Sequence, residues 1–168
     1  MEFYGKHAEM GTMMEAWCAA LLKDGTFRQQ LDPMTGEFTD GGSKGYSPAA
    51  LVLVENTWRL AGIREDAGLI EWSVRPGCSA AEGGRFALKT NSGMMMEMKY
   101  EKGGADLMRA GKKIARIDGT ARLVTDLYGA AVDLVGIVDG EQTVTLTRPK
   151  SGVRTVTLTG NERIKVRA

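Results

Sequence analysis

Gln29, Gln30, Asp32, Glu37 and Tyr46 fall in one polar stretch, residues 25–46, and are the densest set of chemically useful side chains in the sequence. A carboxylate can move a proton in a reaction. An amide cannot act as a general base, but it can orient water or hydrogen-bond a hydroxyl. Glu37 is therefore the candidate catalytic residue, with Gln29, Gln30, Asp32 and Tyr46 as candidate contacts to a polar ligand. Each has a plainer reading beside it. Asp32 opens the turn Asp32-Pro33-Met34-Thr35-Gly36, where an Asp commonly bonds its own backbone, and for Glu37 the solvated loop acid is the stronger of its two readings.

Other chemistries find little footing. His7 is the only histidine, and no Gly-x-Ser-x-Gly elbow is present, so a nucleophile–histidine arrangement has no second signal. One histidine and two distant cysteines do not make a tetrahedral metal site. No phosphate loop or dinucleotide fingerprint occurs, so no cofactor is expected. Cys18 sits in an apolar helical run and reads as a buried thiol, unpaired with Cys78. Met94, Met96 and Met98 share one strand face and read as core. Trp17 and Trp58 lie in helical patterns and read as core or helix–helix contacts rather than sugar platforms.

A polar loop of this length within a compact domain is uncommon and usually functional, and two helices must hold it. Residues 8–23 place Met10, Met14, Trp17 and Leu21 on one face, while Ala16 to Leu22 is apolar almost all round. Gly25 stops this helix. The second helix, 47–61, starts with Ser47 as N-cap and Pro48 at the first helical position, runs apolar from Ala49 to Val54, and ends at Gly62. Both helices carry more apolar circumference than one partner covers. Either the rest of the chain sheathes them, or further helices of a longer protein do.

From Leu69 the period changes to two. Extended runs at 70–74, 86–88, 94–100, 105–109, 112–117, 121–127, 132–138, 142–147, 153–158 and 163–167 are separated by Gly103-Gly104, Ala110-Gly111, Asp118-Gly119, Asp139-Gly140 and Pro149–Gly152. About ten short strands with tight turns predict an antiparallel β-sandwich, jelly-roll-like. The composition is that of a folded domain, 43% apolar and 26% charged. A net charge of +1 supplies no field for nucleic acid or a membrane surface, and no run is long and apolar enough for a transmembrane helix, so neither partner is expected. The compartment stays open.

The segments Gln29–Glu37 and Tyr46-Ser47-Pro48-Ala49-Ala50-Leu51-Val52-Leu53 carry a resemblance. Their order, followed by a terminal sandwich, resembles the end of the six-hairpin (α/α)6-toroid glycoside hydrolases, the group of trehalases, processing α-glucosidases and mannosylglycerate-hydrolase-like enzymes. The resemblance covers residues 1–62. It implies an α+β chain in which 1–64 form the terminal helical hairpin and active-site loop of a toroid, and 65–168 the β-sandwich. It also implies an oligosaccharide or glycoside substrate, and partner helices in the form of missing N-terminal hairpins. One departure stands out: the family places a catalytic carboxylate just before the Asp-Pro turn, where this chain has Gln29 and Gln30. Hydrolysis of a glycosidic bond normally needs two carboxyl groups, and the acid of this family comes from an earlier hairpin. The chain is thus expected to be a glycosidase fragment, inactive alone. The alternative is a non-catalytic carbohydrate-binding or interaction module with a helical stalk.

Overall fold

The computed structural model describes residues 7–32, 34–39, 41, 43–76 and 83–166 of the 168-residue chain; Cys78, Pro33 and the side chain of His7 lie outside the described residues. Among the described residues two helices precede eleven strands: α1 His7–Asp24, α2 Ser47–Ala61, β1 Ile63–Asp66, β2 Leu69–Val74, β3 Arg85–Lys89, β4 Met95–Glu101, β5 Gly104–Arg109, β6 Lys112–Asp118, β7 Ala121–Asp126, β8 Ala131–Val135, β9 Gln142–Arg148, β10 Gly152–Leu158 and β11 Arg163–Lys165. The expected fold class, an α+β chain ending a toroid, is overturned. This is a mostly β structure of two antiparallel sheets with two helices, and the described residues form neither a toroid nor a helical hairpin.

One sheet has the order β1-β2-β7-β8-β11 and the other β10-β9-β6-β5-β4-β3. Alternation along the strands feeds one core between them. Ile70, Trp72 and Val74 of β2, Met96 and Met98 of β4, Leu107 of β5, Ile117 of β6 and Leu123 of β7 are all fully buried. Met96 and Met98 are core residues, as their alternation predicts. Register comes from short connections. Ala110 and Gly111 both take positive φ, 47° and 74°, and turn β5 into β6, the backbone twist that a two-residue hairpin favours.

The helices attach to this core by one side only. Met10 and Met14 of α1 and Leu60 of α2 join the buried cluster. Elsewhere the burial expected of the helices fails. Cys18 is exposed rather than buried, Leu22 is 85% exposed, and Leu51, Val52, Val54 and Trp58 all face solvent. The sandwich reaches one stripe of each helix and leaves the other bare. At the start of α2 the N-cap is Tyr46, at φ −73° and ψ 93°, and Ser47 is the first helical residue; no side chain caps the turn. No described helix is long and apolar enough to cross a membrane.

A charge ladder crosses the outer face of β5 and β6. Asp106 lies 2.6 Å from the Lys113 ammonium and 3.2 Å from Arg116, which also pairs with Asp118 at 2.7 Å. Partial burial pushes the Asp106 carboxyl up, but the hydrogen bonds and charges of Lys113 and Arg116 outweigh it and hold the group below the usual carboxylate range. A depressed folded-state pKa adds stability above the unfolded value and loses it as pH falls through the folded one. Asp106→Asn is therefore expected to destabilise the protein at pH 7 and to have a smaller effect at pH 3. Urea unfolding at the two pH values checks this; equal losses at both would contradict it.

Candidate functional site

Loop 25–46 is a built element. Gly25 N–H returns to Leu21 O at the end of α1. Arg28 reaches back to Asp24 with two hydrogen bonds, at 2.6 and 2.9 Å, which lower the Asp24 pKa despite opposing desolvation. The chain then folds on itself through antiparallel bridges Arg28↔Lys44 and Leu31↔Phe38. Its mouth is closed by Tyr46 N–H donating to Phe27 O at 3.1 Å and Gly45 N–H donating to Thr26 Oγ1 at 3.1 Å. The turn at its tip packs on α1: a Cβ at Gly36 would stand 3.2 Å from Ala16 Cβ.

Within this frame Asp32 acts as the turn residue. Its Oδ1 accepts the backbone N–H groups of Met34 and Thr35 at 2.7 and 3.1 Å, and its N–H donates to Glu37 O. Glu37 is 60% exposed in its side chain and pairs with Lys23 of α1. That hydrogen bond, reinforced by the charge of Glu37, raises the Lys23 pKa. Gln29 and Gln30 are exposed. Gln30 is oriented by Thr39, whose hydroxyl donates to Gln30 Oε1 at 3.2 Å and whose N–H donates to Gln30 O. Tyr46 is half-buried at the start of α2. The loop brings these five residues onto one hairpin-like element. Among the described residues, no hydrogen bond links any two of the five side chains; Asp32, Glu37 and Gln30 are each held by a local partner.

The opposite end of α2 borders a second feature. A cleft of about 500 Å³ lies between the last turns of α2, strands β1 to β3, and the turn after β3. Trp58 forms one wall and is 60% exposed. Arg64, Glu71, Lys89 and Asn91 supply polar groups around it. The turn that carries Asn91 is tied to β1 by Asn91 N–H donating to Glu65 Oε2 at 2.7 Å. At 1.5 Å per helical residue, Trp58 lies about 18 Å along α2 from Tyr46.

The chain matches no protein-family model, no curated protein and no solved structure. Whatever the site does must therefore be argued from its own geometry. Sequence reasoning picked out the loop because its residues are contiguous. It missed the cleft because the lining comes from one helix, three strands and a turn and forms no motif. The one available signal was Trp58, an aromatic in a helix whose period does not place it with the buried Ala49 and Leu60. No group of three or more potential metal ligands occurs among the described residues.

Proposed function

We propose that this chain is part of a glycoside hydrolase and presents a portion of its sugar-binding surface through loop 25–46. The observation that carries this reading is a polar loop pinned at both ends and at its tip, yet leaving the Gln29 and Gln30 amides in solvent. Paired amide donors and acceptors suit sugar hydroxyls, and function concentrates on loops that a rigid scaffold positions. Glu37 is the loop's candidate proton-transfer group, made available by exposure and steadied by Lys23. Asp32 holds the turn that presents it. A second carboxyl group is required for hydrolysis, so the partner acid belongs to further structure of the same enzyme. The bare apolar side of α2, with Leu51 71% exposed beside Val52 and Val54, supports packing against such structure.

The chain alone is then expected to bind simple sugars weakly and to hydrolyse none. Titration of the isotopically labelled protein with trehalose and with methyl α-mannoside, followed by backbone amide shifts, tests the binding. Saturable shifts within residues 27–46, weakened in Gln30→Ala, are the expected result. Loop amides that stay still with every sugar offered would remove the reading.

A further inference from the structure

We propose that the cleft at the C-terminal end of α2 is a second binding site, for an uncharged saccharide, with Trp58 as its stacking platform. Three observations carry this. The first is shape: about 500 Å³ of concave space falls inside the range of small-ligand sites, roughly 300–1,000 Å³. The second is the exposure of Trp58. An indole is among the most costly side chains to leave in water, and here 60% of it is exposed on the wall of that concave space rather than turned into the core. The apolar face of a pyranose ring covers an indole while its hydroxyls remain free to meet polar neighbours at the ring's edge.

The third is charge. The ionisable lining consists of Glu55, Glu65 and Glu71 against Arg59, Arg64 and Lys89, three of each sign. Arg59 donates to Glu55 at 2.9 Å within α2, and Glu71 stands 3.9 Å from Arg122. A site for a phosphate or carboxylate would show an excess of cations, and a site for an amine an excess of carboxylates. A balanced ring of donors and acceptors suits a ligand that is polar all round and neutral. Lys89 and Asn91 lie on and just after β3, so a sugar held there would touch both the helix and the sandwich. The site stands at the far end of α2 from Tyr46 and does not depend on loop 25–46.

The test is titration of the whole chain with glucose, mannose and maltotriose, and with glucose 6-phosphate as the anionic control. The readouts are tryptophan fluorescence and the Trp58 indole N–H resonance, assigned through Trp58→Phe. A saturable shift with at least one neutral sugar at millimolar concentration is expected. Trp58→Ala should weaken it about tenfold or more, Trp58→Phe should weaken it less, and Leu51→Ala should leave it unchanged. Far-UV circular dichroism of Trp58→Ala should match the parent, because that side chain is mostly in solvent. The inference is overturned if no neutral sugar moves the Trp58 signal, if Trp58→Ala binds like the parent, or if the phosphorylated sugar binds more tightly than glucose. Still loop amides with a moving Trp58 indole would remove the loop reading and leave this one standing.

Discussion

Trp72→Ala should lower the free energy of unfolding by about 3–5 kcal/mol, the largest single-residue loss expected in this protein. Trp72 is fully buried at the middle of β2. Its strand is flanked on both sides, with Ile63 of β1 and Leu123 of β7 in register beside it. Its indole N–H donates to Thr125 Oγ1 at 3.0 Å. Truncation empties the volume of an indole from a core that sheets on two sides hold open. It also orphans the hydroxyl of Thr125, which is 1% exposed, and an unpaired buried polar group adds about 1–3 kcal/mol of its own. Set against a typical total of about 5–15 kcal/mol, that is a large fraction of the whole. Trp72→Phe keeps most of the volume and loses only the N–H, so it should cost clearly less. Urea denaturation followed by circular dichroism measures both. A loss below about 1 kcal/mol for the alanine variant would show that the core collapses around the gap.

Gly62→Ala should cost about 2 kcal/mol or more and should loosen α2 from the sandwich. Gly62 is the left-handed cap of α2, at φ 79°, with its N–H returned to Trp58 O. Its carbonyl accepts the Ser73 N–H at 2.7 Å, which joins the end of the helix to β2. A Cβ there would stand 2.3 Å from Ser73 O, a backbone atom that cannot move without breaking the β2 pairing. Gly140 is the control. It has φ 84° but nothing within 4 Å of an added Cβ, so Gly140→Ala should carry only the left-handed penalty of about 1–2 kcal/mol. The difference between the two variants isolates the steric part, and amide hydrogen exchange should rise along α2 only in Gly62→Ala. Equal losses would mean that the close approach of Gly62 to Ser73 has no energetic consequence. Because Gly62 also lines the cleft beside Trp58, the same change should weaken any ligand bound there.

Much of the secondary structure is legible along the chain, for local reasons. Every run with period-two alternation became a strand, because alternation specifies which face of a pleated segment can leave water. Gly25 and Gly62 ended the helices because no other residue takes a left-handed cap as readily. The Asp32 turn was readable because its partners are two and three residues away. Strand β1 was not readable. Ile63-Arg64-Glu65-Asp66 has one apolar residue, and it is a strand because β2 pairs with it residue for residue. Tyr46 displaced Ser47 as N-cap because its carbonyl takes the first helical N–H, that of Ala49, and no side chain was needed.

Burial of the helices was not legible in the same way. An unbroken apolar run such as Ala49–Val54 states how much a helix would gain from cover on all sides, and says nothing about how many neighbours the fold provides. Cys18 lies in such a run and is exposed all the same, whereas the toroid expected for both helices rested on the resemblance of Gln29–Glu37 and Tyr46–Leu53. In the folded chain two sheets pack on each other and spend their contact on one stripe of each helix, so Cys18, Leu51 and Trp58 stay in solvent. The helices, nearly all the strands and the turn that shapes loop 25–46 are specified locally, because each depends on residues a few positions apart. Which apolar faces are bare, and the gathering of Trp58, Arg64, Glu71, Lys89 and Asn91 around one cleft, were set by the folded chain as a whole. Those outcomes depend on long-range strand pairing, whose register brings distant residues together without leaving a local pattern.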